Sequence, residues 1–476
     1  VNRKQKGIDM NYQKIEKSIV SYEGSDLWLS KNQNGDRFLC SPGNPLGLTD
    51  QIEPGIFALS AHNAALMRKY FSWLNPQPLG LQTSAGTGDR LGLATTGHIL
   101  AFEGSGIAPI FAQQSVRENV RTHRTPQQVM DDAMWGVFEM GWRLPWGADG
   151  DHLKNSEDIK SFVDAGYTFF TIDPGAFVCK ADSEISNVQL IEALDDFNFE
   201  AFQISLDSLL KSYNTQKLPV ENINCSDHDV LIALIKYGKA ILHVKEMYLD
   251  LSQRMGLKPF DFEVSVDETD WPTSVFEHYF IANEMKRLGI QWTSLAPRFV
   301  GRFEKGVDYI GDLSQFETEY KIHAAIQKYF GNYKISLHSG SDKFSIYRIC
   351  ATNSDYNIHL KTAGTSYLEA LRVLALIEPK LFREIYAFSR KQYDTDKVSY
   401  HVSAEFSKMP IPDELSDDQL PVLLDNFQAR QALHVCFGSV LDQFGKALLV
   451  MLKQTRGIYD KTIKNHFSRH LADFIQ

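Results

Sequence analysis

The chain has 476 residues, 43% of them hydrophobic and 23% charged, with a formal net charge of -10. That composition belongs to a folded globular protein, long enough for one elaborated barrel or for two to three domains. The acidic balance, with no Lys/Arg-rich run, argues against a nucleic-acid partner, and no apolar run approaches the roughly 20 residues that cross a bilayer, so no membrane partner is expected. The start, "VNRKQKGIDM", is polar and has no apolar signal core; Met10 is a candidate natural start. Cys40, Cys179, Cys225, Cys350 and Cys436 are odd in number, far apart and without CxxC spacing. They read as reduced thiols of a cytoplasmic protein.

Residues 18–42 read as a hairpin turning at Asn34–Gly35. A helix is expected in "EPGIFALSAHNAALMRKYFSWL", with Pro54 near its start. These make an N-terminal extension, 1–78. From residue 79 short apolar runs alternate with helical segments. "PLGLQTS" leads into a Gly-rich loop, and "IAPIFAQQS" leads to "TPQQVMDDAMWGVFEMGW". "LPWGADGDHLK" leads to "SEDIKSFVDAG", and "YTFFTIDPG" follows. "FDFEVSVDETD" precedes "SVFEHYFIANEMKRLG", "IQWTSLAPRF" precedes "DLSQFETEYKIHAAIQKYF", and "YKISLHSGSDK" is followed by "NIHLKTAGTSYLEALRVLALI". About eight such units within 79–376 predict an α/β fold, a TIM (β/α)8 barrel. A helical insertion is expected near 185–258. A helical C-terminal region, 377–476, follows, with "RQALHVCFGSVLDQFGKALLVMLKQT" as one long amphipathic element.

Strand phase indicates where the chemistry sits. In "FDFEVSVDE", Phe260, Phe262, Val264 and Val266 share one face, and Asp261, Glu263, Ser265 and Asp267 the other. In "YKISLHSG", Lys334, Ser336 and His338 oppose Ile335 and Leu337. With the apolar faces against the helices, Asp267 and His338 point to the barrel mouth, at the C-terminal strand ends where barrel enzymes place their sites. "GADGDHLK" adds Asp149, Asp151 and His152, and "TIDPG" adds Asp173. Several strand ends bearing acids or His favour a divalent-metal site with a carboxylate base. Arg298 and Lys343 are candidates to hold an anionic group. "GTGDRLG" has glycine spacing one residue too long for a dinucleotide fingerprint, and no Gly-Lys-Ser/Thr follows for a P-loop. A loop bringing Asp89, Arg90 and His98 to a polar substrate is favoured over glycines that only make turns. Gly364, Thr365 and Ser366 open a helix, either as an anion site or as an ordinary cap.

With these stretches assembled, the chain resembles the tagaturonate epimerase family, to which tagatose 4-epimerases also belong. The resemblance rests on "GTGDRLGLATTGHI", "PIFAQQSVREN", "GADGDHLK", "FFTIDPG", "SVDETDWPTSVFEHYFIANEMKRLGI", "SLAPRFVGRFEKGVDYIGD", "LHSGSDKFSIY" and "KTAGTSYLEALRV", across about residues 80–375. Where the family pattern reads "ATPGH", this chain has "ATTGH", a loop change that removes no candidate group. The resemblance implies a TIM barrel that depends on a divalent metal cation and interconverts the keto-uronates D-tagaturonate and D-fructuronate in hexuronate catabolism. It implies His152 and His338 as metal ligands, with Asp267 or Asp173 as the third. Asp151 and Glu268 are implied as the proton-transferring pair. Zn, Ni, Co, Mn and Fe all remain open as the metal, and the oligomeric state is open too. The alternative is a class II aldolase or a neutral ketose 4-epimerase on the same barrel. The inverted carbon of such a substrate is adjacent to neither carbonyl, so simple enolisation cannot invert it. A retro-aldol cut can.

Overall fold

Short strands that alternate apolar and polar residues can bury one face against helices only if the other face finds company in a closed lumen. The computed structural model describes residues 12–180, 186–214, 218, 220, 221, 223 and 225–476; Met10 lies outside them. Its eight barrel strands are β1 (Ser84–Gly88), β2 (Ala108–Ser115), β3 (Gly147–Leu153), β4 (Phe169–Ile172), β5 (Asp261–Ser265), β6 (Ser294–Ala296), β7 (Lys334–Leu337) and β8 (Ile358–Thr362). Each pairs in parallel with the next, and β8 pairs with β1 to close a TIM-type barrel. The phase is the expected one: Phe262 of β5 packs edge-on to Tyr248 in the outer helix layer, at 5.2 Å. The N-terminal face is plugged where the Asp261 carboxylate accepts the backbone N–H groups of Leu79 (2.6 Å) and Gly80 (3.1 Å).

Three expectations shift. First, the Gly-rich segment begins inside strand β1, which holds Gly86 and Gly88. Its glycines meet protein: a Cβ on Gly86 would lie 2.2 Å from Gln113 Oε1, and one on Gly88 would lie 3.0 Å from Ala363 Cα. The second shift concerns the first long helix. It runs Ala61–Tyr70 from an N-cap at Ser60, whereas Pro54 and Gly55 (φ +78°) form the turn between two short strands, Gln51–Glu53 and Ile56–Phe57. A Pro-Gly pair is a turn signal before it is a helix start. Third, the long C-terminal element is two helices, Phe427–Val435 and Phe437–Gln454, bent by 79° around Cys436. The first is buried between the loops after β6 and β7 and the outer helices. The second must change direction to lie along helix Pro379–Asp396. Among the described residues no single helix is long and apolar enough to cross a membrane.

The hairpin is present: Ser25–Lys31 pairs with Arg37–Cys40 across a turn in which Asn32 Oδ1 accepts the N–H groups of Asn34 and Asp36. Among the described residues between β4 and β5 several helices stand, the last being the 29-residue helix Asp227–Met255. The last long helix, Arg456–Leu471, lies on helix Thr95–Phe102. The close approach falls at Gly97, where a Cβ would sit 2.7 Å from Ile463 Cβ and 3.0 Å from the Asp460 carbonyl oxygen. Gly97→Ala should therefore destabilise the protein. Overpacking costs about 1–3 kcal/mol, and the better helix propensity returns at most about 1 kcal/mol. A lowered midpoint in a denaturant titration is expected; an unchanged or raised midpoint would show that the two helices can part cheaply.

Candidate active site

The alternation of β8 puts His359 and Lys361 into the lumen. The Lys361 ammonium lies 2.9 Å from Asp149 Oδ2, 2.8 Å from Asp151 Oδ1 and 2.7 Å from Glu263 Oε1, and it also donates to Thr171 Oγ1. These partners come from β3, β4 and β5, and all are buried. Burial opposes the Lys361 charge, yet the three carboxylates hold its pKa above the ordinary lysine value. Burial likewise opposes the Glu263 charge, but Lys361 and His338 pull its pKa well below the usual carboxylate range. Asp149 is pushed up to about 7 by burial, against the pull of Lys361. Of the three, Asp149 takes up a proton most readily.

Above this layer stand two imidazoles. His338, just past β7, has Nε2 2.6 Å from Glu263 Oε1 and Nδ1 3.2 Å from Asp267 Oδ1. His152 has Nδ1 2.7 Å from Asp151 Oδ1. Its Nε2 lies 3.5 Å from Asp267 Oδ1 and 3.9 Å from Glu268 Oε1. The ring centroids are 5.1 Å apart. Neighbouring residues on a regular strand point to opposite faces, so Asp151 and His152 meet in one site only through an irregularity. The β3–β4 register supplies it: Gly150 faces Phe170 and Leu153 faces Ile172, which leaves Asp151 and His152 opposite Thr171 alone. This is a β-bulge, and His152 takes a left-handed φ of +56°. Burial lowers the His152 pKa, but Asp151 overrides it and holds the imidazole well above its usual value. For His338, burial and Lys361 are outweighed by Asp267 and Glu263, so its pKa is also raised.

A cavity of about 370 Å³ opens over this layer. Asp267, Glu268 and His338 line one side, Arg298 and Lys305 another, and Tyr400–Ser403 of the C-terminal region form a further wall. Glu268 Oε1 is paired with Arg117 at 3.1 Å. Asp173 lies close by: its Oδ1 accepts the Gly175 N–H, its Oδ2 is 3.1 Å from Lys154, and it can share a site with His152 and Glu268.

The remaining expected residues are engaged elsewhere. Asp89 accepts the N–H groups of Leu91, Gly92 and Ala94, holding its own loop. Arg90 pairs with buried Glu118 at 2.8 Å and stacks 3.6 Å over the Phe437 ring. His98 Nε2 bonds Ser366 Oγ at 2.8 Å, and burial lowers its pKa to about 4. The expected substrate loop is therefore a seam to the C-terminal helices. Lys343 is fully enclosed and donates to the carbonyls of Glu304, Val307 and Ser341. Gly364 is the left-handed N-cap of helix Thr365–Ile377, packed on His434 and Arg90. Sequence reading passed over Lys361, although "NIHLKT" alternates His359 and Lys361 with Ile358 and Leu360 and so signalled two polar lumen residues.

The donor set suits a divalent cation. Asp151, His152 and His338 each offer a ligand atom within 4.8 Å of the others. His152 Nε2 is buried without a hydrogen-bond partner. Each imidazole has its other nitrogen on a carboxylate, Asp151 or Glu263, as ligand imidazoles do.

A closed parallel barrel with acids, imidazoles and a lysine gathered at the C-terminal strand ends defines an enzyme of the TIM-barrel class. Residues 14–474 match the family model of tagaturonate epimerase, UxaE. The chain is 42% identical over 473 residues to the tagaturonate/fructuronate epimerase of Thermotoga maritima, covering 97% of this chain and 96% of that protein. The native crystal structure of fructuronate-tagaturonate epimerase UxaE from Cohnella laeviribosi is similar with a TM-score of 0.92 and 32% identity, over 98% of this chain and 97% of that one. A glycerol complex of the same protein gives a TM-score of 0.92 and 32% identity, over 97% and 96%. The chain belongs to the tagaturonate epimerase family and is an epimerase, an isomerase by class.

Replacing Lys361 with Met should strand the buried carboxylates of Asp149, Asp151 and Glu263. Removing one partner of a buried ion pair costs about 3–5 kcal/mol. Chemical denaturation should show a loss of that order together with loss of turnover. A Lys361→Met protein of wild-type stability would mean that the carboxylates do not need the ammonium.

Proposed function

We propose that this chain interconverts D-tagaturonate and D-fructuronate at the β-barrel mouth, by retro-aldol inversion and with a divalent cation bound. The observation that carries the reading is Asp267 Oδ1, set 3.5 Å from one imidazole nitrogen and 3.2 Å from another, in a cavity that also holds Glu268 and Arg298. His152, His338 and Asp267 would hold the cation, with Asp151 and Glu263 fixing the two rings from behind. When bound, it would supply Lewis-acid polarisation of the substrate ketone oxygen.

The protein's own groups account for the remainder. Counted from the carboxylate, the inverted centre is carbon 3 and the ketone is carbon 5. Breaking the bond between carbons 3 and 4 leaves an aldehyde at carbon 3 and an enolate on the ketone fragment. A carboxylate must take the carbon-3 hydroxyl proton as this bond breaks. The aldehyde then presents its other face, and a carboxylate returns the proton as the bond re-forms. Asp151 and Glu268 suit this pair because they flank His152 on its two nitrogens, at 2.7 and 3.9 Å. Lys361 stands 2.8 Å from Asp151 and Arg117 3.1 Å from Glu268, and these cations favour the carboxylate form of both groups. A cation of the cavity wall, Arg298 or Lys305, must retain the carboxylate-bearing fragment while it turns.

The test is to incubate metal-loaded protein with D-tagaturonate and follow D-fructuronate by NMR. Asp151→Asn and Glu268→Gln should keep the metal and lose at least about 10²-fold in rate, the low end for a general base. His152→Ala and His338→Ala should lose both metal and turnover. Release of three-carbon fragments without the six-carbon epimer would favour the aldolase reading. A tightly bound nicotinamide whose removal abolishes activity would overturn the retro-aldol route.

A further inference from the structure

Lys305 stands in the loop after β6 and lines the same cavity as Asp267, Glu268 and His338. Its ammonium donates to Ser339 Oγ at 2.7 Å. Among the described residues it forms no ion pair, whereas the nearby Arg117 and Arg302 each face a carboxylate, Glu268 and Glu304. The Glu268 carboxylate of the same cavity acts on Lys305 only from beyond ion-pair contact, and a cation at a cavity wall whose hydrogen bond goes to a neutral hydroxyl retains its capacity for an anion.

The loop around it is held unusually firmly. The Glu304 carboxylate accepts from Ser403 N (2.9 Å), Ser403 Oγ (2.7 Å) and Gln431 Nε2 (2.8 Å). Lys343 Nζ donates to the carbonyls of Glu304 (2.9 Å) and Val307 (2.5 Å), on either side of Lys305. Arg430 Nε donates to the carbonyl of Gly306 at 2.5 Å. Gly306 has φ +75° and packs against His434, so the chain turns there with its backbone already spoken for. Such fixing lowers the entropy lost when a ligand binds. Ser339 directly follows His338, so the bond from Lys305 ties the cation to the same loop that carries an imidazole of the centre.

We propose that Lys305, oriented by Ser339, is a specificity-determining residue that receives the carboxylate of the substrate, and that buried Lys343 is the clamp that positions its loop. This rests on the keto-uronate reading of the site. The sequence points to Lys343 as an anion holder. The geometry assigns that part to Lys305, two residues after Phe303 in "GRFEKG", because Lys343 has its donors filled by carbonyls.

Steady-state kinetics on D-tagaturonate with Lys305→Met and Lys305→Arg test this. Methionine keeps the apolar stem and removes the charge. KM should rise at least about tenfold, the size of a lost charged hydrogen bond, with a smaller change in kcat and an unchanged melting temperature. Lys305→Arg should recover most of the affinity. If Lys305→Met is unstable, Lys305→Gln serves in its place with the same expectation. A folded variant lacking the charge whose KM stays within about twofold of wild type would overturn the proposal. Failure of the wild-type protein to epimerise D-tagaturonate would instead defeat the keto-uronate reading, so the two failures are distinct.

Discussion

Lys361 is one ammonium in the middle of a barrel, with carboxylate oxygens of Asp149, Asp151 and Glu263 all within 2.9 Å. Four ionisable groups without water would be costly to bury unless their charges were matched and their hydrogen bonds satisfied. Three acids against one base leave an excess of negative charge. The imidazoles above draw on that excess: His152 leans on Asp151 and His338 leans on Glu263. The layer is therefore a ladder, with lysine at the bottom, carboxylates in the middle, imidazoles next and Asp267 between their outward nitrogens. Each rung fixes the one above, and the outermost donors face the cavity.

The ladder depends on strained backbone that the rest of the molecule must hold. The bulge at Asp151–His152 is one such place, and the loop after β7 is another, with φ +48° at Ser339 and +61° at Asp342. Asp342 is fastened from the C-terminal region: Arg430 lies 2.8 Å from its carboxylate and His466 3.0 Å, while its N–H donates to His470. Burial raises the Asp342 pKa, but Arg430 and His466 pull it well below the usual range. Asp342, His466 and His470 could by composition hold a metal, but Arg430 already supplies the cation there. The C-terminal helices thus act as a brace around the loops that carry His338 and Lys305, and Arg90 and His98 belong to the same brace.

Much of this was legible in the sequence. Period-two alternation gave the lumen faces of β5 and β7, and so the directions of Asp267 and His338. The capping residues Thr125, Ser274 and Asp312 mark helix starts that the structure keeps. The rest was hidden for physical reasons. A glycine reads alike whether a ligand or another strand approaches it, so Gly86 and Gly88 were ambiguous. The same holds for a charged side chain near a strand end: Lys343 and Lys305 differ only in what three-dimensional packing brings to them. The bulge that sends adjacent Asp151 and His152 into one site leaves no trace in periodicity, and the alternation that turns Lys361 to the lumen does not show that three carboxylates meet it there.

The central claim is that Lys361 is a charged ammonium that neutralises the carboxylate layer under the imidazoles. The direct measurement is the ¹⁵N chemical shift of its Nζ in protein labelled at lysine, assigned by subtracting the spectrum of Lys361→Met. The account predicts an ammonium signal that persists unchanged from pH 6 through at least about pH 10, since the carboxylates hold the group above the ordinary lysine value of about 10.4. A neutral amine signal at pH 7 would contradict it, and the carboxylates and imidazoles would then have to balance their charges without the lysine.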